Sequence, residues 1–375
     1  MRIVQIANFY GSSSGGLRTT MHQLASGYRE AGHESVLIVP GVASTSTSTP
    51  WGTLITIPAM SLPFSGGYRV MTDLDHVCTV LEEIEPDALE VADRLTLRGL
   101  GWWARARGVP STVWAHERID GVLRAFAPVL PTRLLADLWN RSTHPRFDRV
   151  IATTAFAAEE FERIGAVNMF RLPLGVDLDA FHPSNRDYAS REALLGPGND
   201  VLLVLCSRLS REKRPDLAMG ALRWLRSRGV AARLVVMGSG PLEASMRKAA
   251  RHLPMTMLGH VSDVRMVSAV MANADVVIAP GPIETFGLAA LEAMASGSPV
   301  VVSRTSALAE LVTGSAGQAV APSPSAIGEA VLTQLLRPEM QRRVAARNRA
   351  EQFPWANTVA AMLALHGDLQ KSPAR

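Results

Sequence analysis

Two glutamates in the second half of the chain have a spacing and setting that suit carbohydrate chemistry. Glu284 and Glu292 lie in APGPIETFGLAALEAMASGSPVVVS, with seven residues between them. A predicted strand ends at Ala279 and a predicted helix begins near Gly287, so Glu284 precedes the helix and Glu292 lies within it. A helix N-terminus carries about half a positive charge and several unpaired N–H donors, which suit a phosphate. Carboxylates beside a phosphate are not its ligands, so we predict that they bind the hydroxyl groups of a sugar and a ribose.

A second group of charged residues follows an apolar run further upstream. Arg208 comes directly after that run and Lys213 five residues later, in SRLSREKRP. Two cations on the loop after a strand can neutralise a diphosphate and stabilise the charge that develops on it as it leaves. The amides of Phe286, Gly287 and Leu288 would add donors, and the glycine would let the backbone approach without a Cβ in the way.

The elements that hold these residues can be predicted from the alternation of short apolar runs with helical patterns. In the first half the predicted strands are Ile3–Ala7, Ser35–Val39, Ala88–Val91, Thr112–Ala115 and Arg149–Ala152, and the predicted helices are Thr19–Ala31, Val70–Ile84 and Thr96–Arg107. In the second half the predicted strands are Val201–Ser207, Ala232–Met237, Met255–Leu258, Asp275–Ala279 and Pro299–Ser303, and the predicted helices are Pro215–Arg228, Pro241–Ala250, Leu288–Ser296 and Ser325–Leu336. This order predicts two consecutive α/β units with parallel sheets.

A linker separates the two units. PLGVDLDAFHP, residues 173–183, holds two prolines and a glycine without clear periodicity, which is typical of a connection. We therefore predict domains over residues 1–172 and 184–354, followed by a helix over Trp355–Leu369. In open α/β sheets, ligands bind beyond the carboxyl ends of the strands, where the charged residues named above are placed.

The composition sets further bounds. The chain has 375 residues, of which 47% are hydrophobic and 19% charged, so it is predicted to be globular and without extensive disorder. Cys78 and Cys206 lie far apart, which excludes a disulfide scaffold and a multi-cysteine zinc site and favours a reducing cytosol. We predict neither a signal peptide nor a membrane-spanning helix. The Ser/Thr run Ser44–Thr49 predicts a flexible loop.

Charge is distributed unevenly along the chain. Residues 94–149 carry ten basic and four acidic side chains, whereas residues 1–93 carry four basic and ten acidic ones. A local excess of arginine favours an anionic surface or ligand nearby, with a solvated arginine face as the alternative. Nucleic acid is not an expected partner, because the sequence has no recognition-helix, zinc-finger or aromatic RNA-binding pattern.

These motifs together resemble one enzyme family. Glu284 and Glu292 match the E-x7-E motif of retaining glycosyltransferases of the GT-B fold, and SRLSREK resembles their Arg/Lys loop. GHVSDVRMVSAVMANADVVIAP resembles the segment before that motif, PLGVDLDAFHP their interdomain hinge, and NFYGSSSGGLRT their first βα turn. The resemblance implies two Rossmann-like domains facing across a cleft, with residues 355–375 packing back on the first. Closure about 173–183 would exclude water from the activated sugar.

The resemblance also implies roles for individual residues. Glu284 would bind the hydroxyls of the donor sugar, Glu292 the ribose, and His116 would lie near the reacting carbon. A strand-end histidine that serves only the fold is the alternative for His116. The remaining donor-site residues are Gly15, Gly16, Arg208, Lys213, Phe286, Gly287 and Leu288 for the diphosphate, and His260 and Val261 for the base. The residues expected to take part in catalysis are His116, Glu284, Arg208 and Lys213.

Members of this family retain the anomeric configuration of the transferred sugar. We favour a front-side displacement, in which the bond to the diphosphate lengthens, an oxocarbenium-like centre forms, and the acceptor hydroxyl attacks from the same face. The leaving phosphate oxygen takes the acceptor proton, so the protein supplies positioning and charge stabilisation rather than a strong base. We expect no requirement for a metal or another cofactor.

Other functions use similar residues. A retaining glycoside hydrolase also needs two carboxylates, but its neutral leaving group does not need the cations Arg208 and Lys213. A nicotinamide dehydrogenase needs G-x-G-x-x-G after the first strand, and the loop 11–16 has another spacing. Asp73-Leu-Asp75 and Asp177-Leu-Asp179 match D-x-D, but one lies in a helical pattern and the other in the linker, so neither is expected to bind a metal. A non-catalytic protein that binds sugar nucleotides stays open as an alternative.

The first domain resembles one subgroup of the family. VQIANFYGSSSGGLRT, ALEVADRLTLRGLGWW and VWAHERID are similar to actinobacterial mannosyltransferases that act on phosphatidylinositol mannosides. The resemblance implies α-1,6 transfer of mannose from GDP-mannose to the dimannoside lipid. Another nucleotide sugar, such as UDP-glucose, with a soluble or different lipid acceptor is the alternative. Arginine forks suit a lipid phosphate, and the candidate acceptor residues are Tyr10, Arg18, Arg69, Arg94 and Arg118.

A basic, amphipathic segment lies within residues 118–149. The apolar residues spaced for one helix face are Leu134, Leu135, Leu138 and Trp139, with Arg133 and Arg141 beside them. Such a segment favours contact with an anionic membrane surface, and burial in the core is the alternative. Together with a lipid acceptor, the segment predicts a cytoplasmic protein bound peripherally to the inner face of the plasma membrane.

Overall fold

The structure, a computed structural model, describes residues 1–11, 15–62, 67–127 and 129–371. The chain forms two compact units, called unit 1 and unit 2 below. Unit 1 consists of Met1–Leu174 together with the segment that begins at Trp355, and unit 2 consists of Gly175–Pro354. The segment predicted as a hinge, 173–183, begins beside the first passage between the units, and its motion stays a prediction.

Unit 1 is built on an eight-stranded sheet of short, mostly buried aliphatic runs. The strands are β1 (Arg2–Ile6), β2 (Glu34–Gly41), β3 (Thr45–Thr49), β4 (Gly52–Pro58), the separate two-stranded ribbon β5 (Met60–Ser61) and β6 (Arg69–Val70), β7 (Ala88–Val91), β8 (Ser111–Ala115), β9 (Arg149–Ala152) and β10 (Met169–Arg171). The order across the sheet is β10–β9–β8–β7–β1–β2–β4–β3. Its neighbouring strands are parallel except β3, which runs antiparallel to β4.

The prediction of a flexible loop at Ser44–Thr49 is wrong, because β3 forms there. Thr45 pairs opposite Thr56, and their hydroxyl oxygens lie 2.8 Å apart. β-branched threonine fits a pleated strand. Most of β3 is exposed at the sheet edge, so it lacks the apolar alternation from which a strand is predicted.

The first six helices of unit 1 cover its sheet. They are α1 (Gly16–Glu30), α2 (Leu74–Ile84), α3 (Leu100–Arg107), α4 (Ile119–Phe126), α5 (Thr132–Thr143) and α6 (Ala155–Glu162). The predicted helix 70–84 begins later, at Leu74, because Val70 belongs to β6 and Asp73 caps the helix. The Asp73 carboxylate accepts the His76 N–H at 3.0 Å, which is the usual work of an N-cap aspartate.

Unit 2 repeats the α/β pattern with a fully parallel, six-stranded sheet. Its strands are β11 (Val201–Cys206), β12 (Ala232–Met237), β13 (Met255–Gly259), β14 (Val276–Ala279), β15 (Val300–Ser303) and β16 (Gly317–Val320). Their order is β13–β12–β11–β14–β15–β16. The chain adds β12 and then β13 on one side of β11 and returns after β13 to its other side, which places β14 beside β11, next to the site described below.

The helices of unit 2 are α7 (Tyr188–Leu195), α8 (Pro215–Arg226), α9 (Glu243–Ala250), α10 (Val264–Asn273), α11 (Leu288–Ala295), α12 (Leu308–Leu311), α13 (Pro324–Leu335) and α14 (Glu339–Ala350). α8 and α13 each begin at a proline, whose fixed φ and missing N–H suit a first helical position. The core of the unit combines the inner faces of α8 and α13 with the aliphatic side chains of β11 and β12.

The C-terminal helix α15 (Trp355–Lys371) belongs to unit 1. It packs so closely on α1 that a Cβ on Gly27 would lie 2.4 Å from a Val359 methyl carbon. Its His366 reaches Glu90 of β7, with 2.7 Å between Nε2 and Oε1. None of the helices in the described part of the chain is long and apolar enough to cross a bilayer.

Candidate active site

Two adjacent strands bring the predicted diphosphate and sugar ligands of unit 2 to the same sheet edge. β11 pairs in parallel with β14, so the loops that follow them start side by side. Lys213, after β11, and Glu284, after β14, are 71 positions apart in sequence, yet Lys213 Nζ lies 2.6 Å from Glu284 Oε1. The two residues also line one small cavity with Cys206 and Ala290. The structure therefore joins the Arg/Lys loop to the first glutamate of E-x7-E.

The start of α11 has the geometry that a bound anion needs. Gly287 has φ 84°, and a Cβ there would lie 2.2 Å from Leu308 Cδ2, so only glycine fits. No side chain of the described residues caps this helix. The side chains of Phe286 and Leu288 are buried, so these residues can offer a ligand only their backbone, as the sequence predicts.

Arg208 stands at the outer side of the same loop. Its side chain is 47% exposed, and its Nη2 lies 3.1 Å from Glu212 Oε1. Glu212 also accepts the Ser210 hydroxyl at 2.5 Å, which fixes the carboxylate on the loop. Exposed ion pairs contribute little free energy, so the Arg208 guanidinium can exchange Glu212 for a phosphate oxygen at small cost.

Glu292 sits one helical turn inside α11 and is partly buried. Burial raises the pKa of Glu292 to about 7. Burial, with the nearby Glu292, also raises the pKa of the Cys206 thiol to about 12, so this cysteine stays protonated. A carboxyl group that titrates near neutral pH can both donate to and accept from a hydroxyl group. This behaviour fits the ribose ligand that the sequence predicts at Glu292.

In unit 1, residues predicted for acceptor and donor surround the start of α1. Gly15 precedes that helix and Gly16 opens it, while the serines at 12–14 of NFYGSSSGGLRT lie outside the described residues. The Tyr10 hydroxyl is 2.6 Å from Nε2 of His22, whose ring stacks on Trp51 with centroids 4.1 Å apart. Burial, together with the positive charge of Arg18, lowers the pKa of His22 to about 4. The cluster therefore presents a neutral imidazole beside Tyr10.

His116 follows β8 directly and is partly accessible. Its ring lies parallel to the Trp114 indole, with 5.4 Å between ring centroids and 5° between planes. Burial, and then the positive charge of Arg94, lower the pKa of His116 to about 4, although Glu90 acts in the opposite direction. The imidazole is therefore neutral near pH 7, where it can orient a hydroxyl group by hydrogen bonding without carrying charge.

Comparison with known proteins identifies the family. The family described as "Glycosyl transferases group 1" matches residues 200–337, and the "Glycosyl transferase 4-like domain" matches residues 15–175. The chain is 48% identical over 373 residues to the GDP-mannose-dependent alpha-(1-6)-phosphatidylinositol dimannoside mannosyltransferase of Mycobacterium tuberculosis, covering 99% of this chain and 97% of that protein. The chain belongs to the group 1 glycosyltransferases.

Solved structures give the fold of this group 1 glycosyltransferase. Sucrose-phosphate synthase from Thermosynechococcus elongatus matches with a TM-score of 0.81 at 20% identity, covering 98% of this chain and 99% of that one. Anabaena HepE in complex with UDP and glucose matches with a TM-score of 0.75 at 16% identity, again covering 98% and 99%. These likenesses confirm the predicted fold class, GT-B with two Rossmann-like α/β domains.

Two of the five candidate acceptor residues of this glycosyltransferase are in the wrong place for a lipid phosphate. Arg94 is 6% exposed, donates to Asn140 Oδ1 at 2.9 Å and to the Glu117 carbonyl, and lies 3.6 Å from Glu160 Oε2. Buried arginine is stable only when it is paired in this way. The guanidinium of Arg94 therefore ties the loop after β7 to the loop after β8 and to α5 and α6 instead of facing a ligand.

Arg118 is likewise buried and paired with carboxylates. It is 8% exposed and binds both carboxylate oxygens of Asp120, at 3.0 and 2.8 Å, while Nη1 reaches Glu159 Oε2 at 2.5 Å. Arg69 differs, since it is only partly buried and donates through Nη1 to the Ala59 carbonyl at 2.8 Å. Tyr10, Arg18 and Arg69 stay candidates for the acceptor site.

The sequence analysis missed two glycines that support the Arg/Lys loop. Gly238 and Gly240 follow β12 with φ values of 134° and 153°. A Cβ on Gly238 would lie 1.9 Å from the Ser207 carbonyl oxygen, and one on Gly240 2.6 Å from that of Leu209. The pattern Gly-Ser-Gly-Pro after a predicted strand was the available signal.

His260 and Val261, predicted to meet the base, follow β13 at the outer end of the same sheet edge. His260 is exposed and Val261 partly so. The Gly238 N–H donates to the carbonyl of Gly259 at 2.7 Å, which ties this loop to the glycine turn after β12. The loops after β13, β12, β11 and β14 thus lie side by side along one sheet edge. The residues predicted for the base follow β13, the cations predicted for the diphosphate follow β11, and the glutamate predicted for the sugar follows β14.

Neither D-x-D pattern offers a free pair of carboxylates. Asp73 caps α2, and Asp177 Oδ1 accepts the N–H groups of Asp179 and Ala180 at 3.1 and 2.8 Å. Within the described ranges, no group of three or more His, Cys, Asp or Glu side chains is placed to hold a metal ion. A larger cavity of this glycosyltransferase, lined by residues of α14 and of the turn before β16, shares no residue with the site.

Proposed function

We propose that the protein is a retaining mannosyltransferase that transfers mannose from GDP-mannose to a phosphatidylinositol mannoside. The product would be the trimannoside, formed through an α-1,6 linkage on the dimannoside. The observation that carries the proposal is the 48% identity, across nearly the full length of both chains, to the mycobacterial enzyme whose name states this donor and this acceptor. The partners are thus a nucleotide sugar and a phosphoinositide glycolipid.

The geometry of unit 2 supports a nucleotide-diphosphate sugar as donor. Lys213, Arg208 and the amides at the start of α11 supply positive charge at one sheet edge. Glu284 lies at hydrogen-bond distance from Lys213, so a bound diphosphate competes with that carboxylate for the ammonium group. Glu284, displaced from Lys213 by the phosphate, is then free to bind the sugar hydroxyls next to that phosphate.

The chemistry follows from these positions. As the glycosidic bond lengthens, negative charge grows on the leaving phosphate, and Arg208 and Lys213 stabilise it more than they stabilise the substrate. The acceptor hydroxyl attacks from the face that the phosphate leaves, and the phosphate oxygen takes its proton. His116, neutral near pH 7, orients the hydroxyl or the sugar by hydrogen bonding.

We further propose that turnover needs no divalent metal, because two side-chain cations and a helix N-terminus can neutralise the diphosphate. The measurement is the transfer rate after dialysis against EDTA, with and without added Mg²⁺ or Mn²⁺. Equal rates are expected. A rate that disappears with EDTA and returns with one of the ions would overturn this part of the proposal.

We propose a location at the inner face of the plasma membrane, held by an exposed part of unit 1. The leucines of α5 face outward, with Leu134, Leu135 and Leu138 exposed to 57%, 38% and 57%, whereas Ala136 and Asn140 face the core. The alternative of a stripe buried in the core is therefore wrong for these leucines. Apolar side chains flanked by arginines suit an anionic bilayer.

The neighbouring helix extends this surface. Trp102 of α3 is 49% exposed, and the guanidinium carbons of Arg105 and Arg146 lie 5.0 and 5.8 Å from its ring centroid. Arg98, two residues before α3, lies with its guanidinium 3.9 Å from the Trp139 ring centroid and donates to Ser142 near the end of α5, which links the segment before α3 to α5. Such aromatic and basic side chains favour the interfacial region of a membrane.

Vesicle binding tests the membrane proposal. The protein should sediment with phosphatidylinositol-containing vesicles at low salt and less so at high salt. The double substitution L134E and L138E should abolish sedimentation, whereas L336E and M340E, at exposed sites of unit 2, should not. Failure of the unsubstituted protein to bind at low salt would sink this proposal.

Donor and acceptor are tested together by incubating the purified protein with labelled nucleotide sugars and extracted actinobacterial lipids. Transfer from GDP-mannose to a phosphatidylinositol dimannoside is expected. Transfer only from UDP-glucose, or only to soluble sugars, would favour the alternative glycosyltransferase. Nucleotide-sugar binding without transfer to any acceptor would indicate a non-catalytic binding protein.

A further inference from the structure

A buried carboxylate in unit 1 has no role in the mechanism above. Glu90, in β7, is 1% exposed and accepts four hydrogen bonds. Its Oε1 accepts from Tyr28 at 2.6 Å and lies 2.7 Å from His366 Nε2, while its Oε2 accepts from Gln5 at 3.1 Å and from the Trp114 indole at 3.3 Å. Removing a carboxylate from water is costly unless its partners compensate.

The partners of Glu90 come from four different elements. Gln5 lies in β1, Tyr28 in α1, Trp114 in β8 and His366 in α15. Burial alone would raise the pKa of Glu90, but the hydrogen bonds and charge of these neighbours, led by His366, lower it below its usual value. The group is therefore a carboxylate at neutral pH, and it can hold its donors by charge-assisted hydrogen bonds.

One of these donors touches a residue of the proposed catalytic site. The Trp114 indole is 2% exposed, its N–H points to Glu90, and its face supports the parallel ring of His116. The hydrogen bond selects one orientation of the indole about its side-chain torsions. The orientation of the indole in turn determines the plane in which the imidazole can stack.

We propose that Glu90 is a positioning residue for His116, acting through the Trp114 indole, and that His366 of the C-terminal helix holds Glu90 in place. The inference rests on the proposed function only in that His116 meets the substrate. It makes the orientation of His116 depend on α15, a helix that is separated from β8 by most of the chain. Small errors in the placement of a group that orients a reactant lower the rate steeply.

Substitution of His366 tests this connection without touching Trp114 or His116. H366A removes the donor to Glu90, whereas H366Q keeps an amide nitrogen near the position of Nε2. We expect H366A to lower kcat about 10- to 100-fold at little change in donor KM, and to move the NMR signal of the His116 ring, assigned by its loss in H116Q. H366Q should restore both.

A tryptophan pair supplies the second test and its matched control. W114F keeps an aromatic ring but loses the N–H that reaches Glu90, so kcat should fall and the His116 signal should move. W103F makes the same change at a buried tryptophan of α3 whose N–H has no partner among the described residues. It should leave both kcat and the His116 signal unchanged.

The outcomes separate the two proposals. Folded H366A and W114F proteins with an unchanged His116 signal and unchanged kcat would overturn the positioning role of Glu90. If the His116 signal moves in both H366A and W114F but H116Q is as active as the unsubstituted protein, the connection from α15 to His116 stands and the catalytic role of His116 fails. If H366A does not fold, W114F against W103F decides.

Discussion

The arginines around α4 to α6 of unit 1 and the cations after β11 of unit 2 all pair with carboxylates, but they differ in whether a ligand can replace that carboxylate. Arg118 is 8% exposed and bound on two sides by Asp120 and Glu159, whereas Arg208 is half exposed and touches Glu212 alone among the pairs described. Lys213, paired with Glu284 and partly buried, lies between these extremes. Burial and the number of partners therefore decide which cation can exchange its carboxylate for a ligand.

The contrast explains why arginine content predicts so little by itself. The excess of arginine in residues 94–149 includes buried, paired arginines such as Arg94 and exposed arginines such as Arg133 and Arg141. Only the exposed ones can meet an anionic surface. The following predictions test the contrast, beginning with the largest effect.

Removing Arg118 should cost the most stability. R118A leaves Asp120, itself 2% exposed, without its bidentate partner. We expect the free energy of unfolding to fall by about 3–5 kcal/mol, measured by urea denaturation. R69A, at a partly buried arginine whose Nη1 donates to the Ala59 carbonyl, should lose only about 1 kcal/mol. An R118A protein of normal stability with a raised acceptor KM would return Arg118 to the acceptor site.

Removing Lys213 should have the converse effect, on activity alone. K213A takes away a cation that meets charge developing in the transition state, so we expect kcat to fall about 10²- to 10³-fold with little change in melting temperature. K248A removes an exposed lysine of α9 and serves as the matched control. Equal activity of the two variants would contradict the assignment of the loop after β11 to the diphosphate.

The half-buried Glu292 should link stability to pH. Its folded pKa, about 7, lies above its usual value of 4.5, so the folded state holds the proton more tightly than the unfolded state does. Stability should therefore decline as pH rises from about 4.5 through 7, by at most about 3 kcal/mol. E292Q should remove that part of the slope in melting curves recorded from pH 5 to 8.5. An unchanged slope would show that Glu292 is well solvated.

The smallest effect concerns Asp73, whose pattern resembles a metal site. D73A should cost about 1 kcal/mol through the lost cap of α2, and D73N, which caps equally well, should cost almost nothing. Neither substitution should alter the response of activity to Mn²⁺. A metal-dependent loss of activity in D73N would instead make this aspartate a ligand.

Much of the fold can be predicted because buried parallel strands consist of uninterrupted aliphatic runs. β7, β9 and β12 have the predicted bounds. The prediction missed β3, β4, β10 and β16, whose side chains are mostly exposed or only partly buried and so leave no uninterrupted buried run. In these strands pairing with a neighbour, which the local sequence does not encode, supplies the stability.

The candidate site could also be predicted only in part from the sequence. The sequence could place Glu284 and Lys213 at one sheet edge, because both follow predicted strands and parallel strands end on the same side of a sheet. The burial of Arg94 could not be predicted, since Arg94 lies in a loop and its partner Glu160 lies 66 positions further along the chain, in α6. The sequence shows glycines at 238 and 240, but it does not show that only glycine fits there. That requirement comes from carbonyl groups in the loop after the neighbouring strand β11.

The hydrogen bond between Glu90 of β7 and His366 of α15 has a consequence for biosynthesis. Glu90 precedes His366 by 276 positions, and at about 5–20 residues per second a ribosome takes roughly 15–55 s to add them. Throughout that interval the nascent first unit lacks both the imidazole for its buried carboxylate and the helix that covers Gly27. Unit 1 is thus completed only after all of unit 2 has been translated.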